Sequence, residues 1–225
     1  MAVHDGQLFL REQLDSILPQ LNPNDELVIS DDESNDQTLE IIKSYQDSRI
    51  RVLPAQRFGN PSTNFEYVLN HCQNEIIFLS DQDDIWHREK IKAMSGELAN
   101  SDLVVCDCRL IDQNGEMLVA SFFEWNQSQG GIINNILRNS FVGCCMAFHS
   151  RILKKILPFP SKNFMHDQWI GLMALRHFEV KFLQAILVDH RKHERNYSTT
   201  GGRSKSPWNK KVISRFEPAK ALLQH

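Results

Sequence analysis

Apolar residues in the first half of the chain alternate between helical spacing and short continuous runs. Helical spacing with one apolar face predicts an amphipathic helix, and a short apolar run between polar segments predicts a buried strand. The predicted elements are a helix at 7–18, a strand at 26–30, a helix from Ser34 to Tyr45, a strand at 50–53, a helix from Pro61 through Leu69 and a strand at 75–79. This alternation predicts an α/β fold whose central sheet is mostly parallel and flanked by helices, with ligands beyond the carboxyl ends of the strands.

The pattern becomes mixed in the second half. The predicted elements are a helix at 87–99, a strand at 103–106, a hairpin joining 108–112 to 117–120 through Asn114-Gly115, a buried strand at 141–148, a short helix at 150–157, a helix at 166–177 and a strand at 180–188. The polar stretch 199–210 is rich in Gly, Ser and Lys and predicts a mobile loop. We therefore expect one domain over 1–198 and a loop with a helical extension over 199–225.

The composition is that of a folded globule. The 225 residues include 25 Lys+Arg and 28 Asp+Glu, a balance of -3 that disfavours a nucleic-acid partner. No apolar run approaches the ~20 residues of a membrane-spanning helix. The N-terminus lacks the charged start and apolar run of a signal peptide, which favours the cytoplasm. Five cysteines, an odd number, favour buried reduced thiols over a disulfide framework.

An acidic segment, Asp31-Asp32-Glu33-Ser34-Asn35-Asp36-Gln37-Thr38, follows the strand at 26–30. Ser34 with Gln37 three residues later has the form of a capping box, and carboxylates stabilise a helix N-terminus. Capping accounts for one or two acids but does not need two adjacent carboxylates. An EF-hand calcium loop is excluded because its Gly and Glu positions are not matched.

A second acidic segment, Ser80-Asp81-Gln82-Asp83-Asp84-Ile85-Trp86, follows the apolar strand at 75–79. Its three close carboxylates repel one another unless a cation or hydrogen-bond donors compensate. A hard ion such as Mg²⁺ or Mn²⁺ binds one or two carboxylates and completes its shell with phosphate and water oxygens. The alternative is a solvated acidic turn anchored by a buried Trp86.

Two later segments also contain candidate chemistry. His166-Asp167-Gln168-Trp169 begins a predicted helix, so Asp167 could be an N-cap before a buried Trp. The segment from His190 to Ser198 is basic and contains His193. Without further information it could be a solvated basic loop.

The two acidic segments closely resemble the D-D-x-S-x-D-x-T and D-x-D-D-x-W motifs of family 2 glycosyltransferases, which are GT-A nucleotide-diphospho-sugar transferases. Both occur in order, about fifty residues apart. Residues 2–6 resemble the A-T-Y-N-G start of that family, and 14–20 resemble the helix that follows. The resemblance covers most of residues 1–200. The D-Q-D-D-x-W form is most similar to bacterial rhamnosyltransferase-like enzymes of O-antigen or capsule assembly.

This resemblance implies a role for each matching residue. Val3 and His4 would lie beside the nucleobase, with His4 where the family often has a stacking Tyr. Asp31 or Asp32 would bind the base, and a carboxylate suits the imide N–H of uracil or thymine. Asp81 would contact the ribose.

The remaining implied roles concern the diphosphate and the acceptor. Asp83 would bind Mn²⁺ or Mg²⁺, and His193, by its similarity to a Y-R-x-H-x-x-N-x-S stretch, would be a further ligand. Arg191 would neutralise diphosphate oxygens. Asp167, like the E-D or H-D acid of the family, would be the general base.

We therefore expect a metal-dependent, inverting glycosyltransferase that uses a UDP- or dTDP-sugar and a glycan or lipid-linked acceptor. One rival is an inactive sugar-nucleotide-binding protein, favoured by His4 and by a first strand that looks truncated because only Met1 precedes Ala2. A nucleotidyltransferase would need a Gly-rich basic loop near the N-terminus, which residues 1–20 lack. The basic segment 210–216 could contact a membrane surface or be a solvated tail.

Overall fold

The strands form two sheets of different kinds. The computed structural model describes residues 1–161, 164–194, 196, 218 and 220–222. Within these, the strands are β1 (Ala2–Val3), β2 (Leu27–Asp31), β3 (Ile50–Val52), β4 (Ile76–Phe78), β5 (Ile85–Trp86), β6 (Leu103–Ile111), β7 (Met117–Val119), β8 (Met146–His149) and β9 (Val180–Arg191). Most of the predicted C-terminal extension, including 210–216, lies outside the described residues.

The first sheet is parallel, as predicted, in the order β1-β2-β3. The second is mixed, in the order β4-β8-β6-β9-β5, with β7 paired to β6. In it β6 and β9 run parallel, whereas β4–β8, β6–β8, β5–β9 and β6–β7 are antiparallel. The expectation of a mostly parallel sheet therefore holds for the N-terminal part alone, because the hairpin and returning strands of the second half reverse direction.

Helices flank these strands at most of the predicted places. They are α1 (Leu10–Ile17), α2 (Thr38–Ser44), α3 (Pro61–Leu69), α4 (Lys90–Leu98), α5 (Phe122–Asn126), α6 (Ile132–Leu137), α7 (Leu153–Ile156) and α8 (His166–His177). The short helices α5 and α6 were not predicted. The predicted strand at 141–148 is wrong in its first half, where Gly143–Cys145 forms a 3₁₀ turn before β8.

The main core lies between these helices and the sheets. Trp169, Phe65 and Phe148 are among its largest buried side chains, and Trp86 is also buried. All five cysteines are free, and Cys72 is the one that is not fully buried. Of the helices described, none is both long and apolar enough to cross a membrane.

Strand register positions the acidic segment after β4. Ile85 of β5 lies opposite Asp189 of β9 in an antiparallel pair. The residues that precede β5, Asp83 and Asp84, are therefore brought beside the last residues of β9 and the segment after it. Residues about 110 positions apart in the sequence meet there.

Candidate active site

A cleft of about 670 Å³ opens where β1, β2, α3, the acidic segment after β4 and the N-terminus of α8 come together. Seven residues predicted from the sequence line it: Val3, His4, Asp32, Asp81, Asp83, Asp167 and His193. Two others, Asp31 and Arg191, are not among its lining residues. The cleft thus contains the residues expected at the nucleobase, the metal and the acceptor.

The segment after β2 holds the loop that follows β1. The backbone N–H groups of Asp5, Gly6 and Gln7 donate to Ser34 Oγ, Thr38 Oγ1 and Asp36 Oδ2 at 2.9, 2.8 and 3.0 Å. Asp36 also accepts from the Thr38 N–H at 2.9 Å. These hydrogen bonds lower the pKa of Asp36 although burial opposes this. We name this arrangement of Ser34, Asp36 and Thr38 the loop clamp.

The loop clamp corrects the predicted capping box. Helix α2 begins at Thr38, and its N-cap residue Gln37 makes no side-chain cap bond. Ser34 instead donates from Oγ to Asp31 Oδ1 at 2.5 Å. Ser34 therefore bonds to Asp31 and to the loop after β1 and does not cap α2.

The two adjacent aspartates have different surroundings. Asp31 is 1% exposed, and its carboxylate accepts from the N–H and Oγ of Ser34. Asp32 lines the cleft, and its Oδ1 accepts from the N–H groups of Phe58 and Gly59 at 2.5 and 3.0 Å. Of the two residues that the sequence left open, Asp32 has the carboxylate that can face a ligand.

His4 connects the loop after β1 to both acidic segments. Its Nδ1 lies 2.8 Å from the carbonyl oxygen of Asp32. Its backbone N–H donates to Gln82 Oε1 at 2.7 Å, and its carbonyl accepts from Gln82 Nε2 at 2.8 Å. A Cβ at Gly6 would lie 2.6 Å from Gln82 Oε1, so this amide contact needs a glycine there.

Asp83 and His193 lie in direct contact in the cleft. Asp83 Oδ2 is 2.8 Å from His193 Nε2 and 3.2 Å from Asn196 Nδ2. Carboxylate oxygen and imidazole nitrogen are suitable donors for Mn²⁺, with Asp83 alone suitable for Mg²⁺. The donor set at this position therefore fits the predicted ion.

The charges of Asp83 and Asp84 act on the neighbouring carboxyl group of Asp81. Burial, together with the neighbouring carboxylates of Asp84 and Asp83, raises the pKa of Asp81 to about 8. The repulsion between close carboxylates that the sequence predicts is thus present in the fold. A divalent cation would relieve it.

Asp84 is not part of the cleft wall. Its Oδ1 lies 2.7 Å from His190 Nδ1 and accepts from the Arg191 N–H at 3.1 Å. Although burial disfavours the charged forms, this pairing raises the pKa of His190 well above its usual range and lowers that of Asp84. The pair is an internal ion pair that fixes the acidic segment to β9.

Asp84, His190 and Cys144 form a second group of possible ligands, with donor atoms within 4.8 Å of one another. All three residues are buried, and the thiol is a soft ligand that suits zinc rather than Mg²⁺ or Mn²⁺. Among the described residues, the pair of Asp83 and His193 is the better fit to an ion that contacts a diphosphate.

Arg191 has a different environment from the one predicted. It is 3% exposed, and its Nε and NH1 donate to the carbonyl oxygens of Asp83 and Gln113 at 3.0 and 3.2 Å. NH2 bonds to Glu12, and the guanidinium lies 4.7 Å from the centre of the Phe9 ring. Because these partners surround the guanidinium, the expectation that it contacts the diphosphate is not supported by this geometry.

Asp167 lies in the first turn of α8, where Met165 rather than Asp167 is the N-cap residue. It is 7% exposed, and its Oδ1 accepts from the Gln168 N–H at 2.6 Å. Burial raises the pKa of Asp167 to about 6 even though backbone N–H groups oppose the shift. A carboxylate with this pKa is largely ionised at neutral pH and is a stronger base than an exposed Asp.

Three residues of the site were not predicted from the sequence. In the sequence Gln82 lies between two aspartates, His166 precedes the candidate base Asp167, and His190 begins the basic segment. None of these positions suggested a role of its own. The register of β5 against β9 pairs Ile85 with Asp189 and so places His190 next to Asp84, but this register is known only from the structure. No sequence signal indicates the other two.

Comparisons with known proteins identify the family and the fold. Residues 1–157 match the profile of the family described as Glycosyl transferase family 2. A dTDP-rhamnosyl transferase of Shigella flexneri, RfbG, is 39% identical over 99 residues, which cover 41% of this chain and 34% of that protein. Asp167 and His193 lie beyond the part matched by the family profile.

Two solved structures share the fold. Staphylococcus aureus TarS 1-349 in complex with UDP-GlcNAc superposes with a TM-score of 0.74 and 19% identity, covering 96% of this chain and 64% of that one. The mannosyltransferase PcManGT of Pyrobaculum calidifontis, in complex with GDP-Man and Mn²⁺, gives a TM-score of 0.67 at 19% identity, covering 98% and 62%. The matched part of the chain spans less than two thirds of each of these three proteins.

The family match covers more than half of the chain, and the likeness to the solved structures is one of fold. The chain therefore belongs to glycosyl transferase family 2 and has the GT-A fold.

Proposed function

We propose that this protein is a metal-dependent, inverting glycosyltransferase. It transfers a sugar from a UDP- or dTDP-activated donor to a glycan or lipid-linked acceptor in the assembly of cell-surface polysaccharide. The observation that supports this best is a single cleft that contains Asp32, the pair Asp83 and His193, and Asp167. Asp83 and His193 are in direct contact, and the pKa of Asp167 is raised to about 6. The similarity to a dTDP-rhamnosyl transferase supports the choice of donor class.

The nucleobase end of the donor lies at Val3, His4 and Asp32. One oxygen of Asp32 is already fixed by two backbone N–H groups, so its other oxygen can accept from an imide N–H of uracil or thymine. Cytosine has no such N–H, and the proposal therefore excludes it. Asp81 lines the same cleft, where its carboxyl group is able to hydrogen-bond a ribose hydroxyl.

The diphosphate lies towards Asp83 and His193, which would hold Mn²⁺ or Mg²⁺. When bound, the ion supplies Lewis-acid stabilisation of the charge on the departing diphosphate. Asp83 and His193 are pre-positioned for this by their mutual contact and by the ion pair of the adjacent Asp84 with His190.

Asp167 removes the proton from the acceptor hydroxyl. The acceptor oxygen then forms a bond to the anomeric carbon while the bond from that carbon to the diphosphate oxygen breaks. The proton remains on Asp167 and the electron pair leaves with the nucleoside diphosphate. Attack opposite to the leaving group inverts the anomeric configuration.

The experiment is to mix the protein with Mn²⁺ and a panel of UDP-, dTDP- and GDP-sugars and to record thermal shift and nucleotide release. We expect a metal-dependent shift and release with UDP- or dTDP-sugars. Asp83→Asn should remove the metal-dependent part of both signals. Glu89→Gln, which changes an exposed carboxylate outside the cleft, should leave both unchanged.

A nucleotide-dependent shift without release under any condition would favour a binding protein over an enzyme. If no nucleotide changes the melting temperature with or without metal, the proposed function is wrong.

A further inference from the structure

His166 lies in the cleft wall where α3 and α8 pack together. Its ring stacks on Phe65, with 4.0 Å between ring centroids and 21° between ring planes. Its edge faces Gly143, where a Cβ would lie 2.9 Å from Nε2. The imidazole is therefore held by packing on its face and on its edge.

Neither ring nitrogen of His166 has a hydrogen-bond partner within the described part of the protein, although the residue is 5% exposed. A buried polar atom without a partner is destabilising and requires an explanation. Of the described residues that line the cleft, Asn64 and His190 each have one unpartnered side-chain atom, Oδ1 and Nε2. In His166 both polar atoms are unpartnered.

The charge of the ring indicates what it can bind. Burial lowers the pKa of His166 to about 3, so the imidazole is neutral at physiological pH. A neutral imidazole has one N–H donor and one acceptor nitrogen. A hydroxyl group can either accept from the N–H or donate to the other nitrogen, whereas a phosphate oxygen can use the N–H alone and gains no ion pair.

We propose that His166 binds a sugar hydroxyl next to Asp167 and thereby positions one of the two substrates for transfer. This inference rests on the proposed function, since it assigns the hydroxyl to a substrate of that reaction. His166 precedes Asp167 in the first turn of α8, so a hydroxyl bound by His166 lies close to the proposed base. The hydroxyl belongs either to the donor sugar ring or to the acceptor, which have the same chemistry here.

The first test follows the ¹⁵N resonances of the His166 ring in the protein with Mg²⁺, which is diamagnetic and does not broaden them. UDP is added first, then UDP-glucose, UDP-GlcNAc or dTDP-rhamnose, and finally the methyl glycosides of glucose, N-acetylglucosamine and rhamnose in the presence of UDP. A shift with a nucleotide sugar but not with UDP assigns the hydroxyl to the donor. A shift that appears with a glycoside in the UDP complex assigns it to the acceptor. The proposal is wrong if none of these additions moves the resonances.

The second test uses His166→Leu, which removes both nitrogens and keeps an apolar contact with Phe65. His166→Gln restores one donor and one acceptor, and His177→Leu, at an exposed histidine outside the cleft, is the control. We expect His166→Leu to be at least as stable to urea as the wild type and to bind UDP equally well. It should lose roughly tenfold in affinity for the ligand that shifts the resonances, and His166→Gln should recover part of this loss.

A merely structural role would give the opposite result, with His166→Leu less stable and UDP affinity reduced to the same extent as sugar affinity. If the wild type binds UDP and nucleotide sugars but both His166 tests are negative, the inference fails and the proposed function stands. If the wild type binds no nucleotide at all, both fail.

Discussion

The side-chain amide of Gln82 pairs with the backbone of His4 as a neighbouring strand would. Gln82 Oε1 accepts from the His4 N–H at 2.7 Å, and Gln82 Nε2 donates to the His4 carbonyl at 2.8 Å. The pairing joins the loop after β1, next to the proposed nucleobase site, to the segment that contains the proposed metal ligand Asp83. The two ends of the proposed donor site are thus linked through one side chain.

Gln82→Ala should weaken donor binding without unfolding the protein. Both hydrogen bonds are near the surface, so we expect a small change in the free energy of unfolding and a rise of about tenfold in the Kd for UDP. Calorimetric titration with UDP and Mn²⁺ measures this. Gln73→Ala, an exposed glutamine outside the cleft, is the control, and equal affinities in the two variants would contradict the link.

The pH dependence of transfer should report Asp167. A general base must be ionised to accept a proton, and the pKa of Asp167 is raised to about 6. The rate should therefore rise as the pH increases through about 6 and level off above it. Measurement of kcat/KM from pH 4.5 to about 8 tests this, and a profile that is flat through about 6 would rule out this base.

Asp167→Asn should remove this dependence together with most of the activity. We expect kcat to fall by roughly 10²- to 10⁴-fold, because the amide cannot accept the proton. The Kd for UDP should stay at the wild-type value. A variant that loses UDP affinity in parallel with kcat would indicate a disturbed cleft instead.

Substitutions of the adjacent residues Asp83 and Asp84 should have different effects, with Asp83→Asn affecting metal binding and Asp84→Asn affecting stability. Asp84→Asn leaves the buried His190 without its counter-charge and should lower the free energy of unfolding by roughly 3–5 kcal/mol. Asp83→Asn should change it by less than about 1 kcal/mol but remove the Mn²⁺-dependent thermal shift. Urea unfolding and thermal shift of both variants test this, and similar stabilities would show that the Asp84–His190 pair is not the anchor.

Arg191→Lys tests the corrected role of that residue. Lysine cannot reproduce the separate bonds of the guanidinium to Asp83, Gln113 and Glu12, so we expect a loss of roughly 1–3 kcal/mol in stability. The Kd for UDP of the folded variant should be unchanged. A loss of UDP affinity at wild-type stability would instead restore the original prediction of a contact with the diphosphate.

Local patterns predicted those elements of the fold that depend on neighbouring residues. Asn60 accepts from the N–H of Ser62 ahead of α3, which begins at Pro61 as predicted, and the Asn114-Gly115 turn joins β6 to β7. These features are determined by residues that are close together in the chain, so a local sequence pattern is enough to predict them. The same holds for the acidic segments, which follow β2 and β4 at the cleft.

Contacts between distant residues limited the prediction of the site. The contact of Arg191 with Glu12 crosses 179 positions, and that of Asp84 with His190 crosses 106. The sequence places Arg191 near the predicted diphosphate site and therefore suggests that it binds the diphosphate. Its actual partners, Glu12 of α1 and Gln113 of the β6–β7 hairpin, are far away in the sequence and could not be recognised there. Likewise, the unpaired state of His166 follows from the packing of α3 against α8 and has no local pattern.

The loop clamp has a consequence for the kind of group that the loop after β1 can receive. Each backbone N–H from His4 to Gln7 already donates to a side chain of the protein. A glycine-rich phosphate-binding loop works in the opposite way, by keeping such N–H groups free for an anion. This loop therefore has no free backbone N–H group from His4 to Gln7 with which to bind an anion, and it is better suited to a flat, uncharged ring. A negatively charged ligand can enter only with its charged part directed away from it.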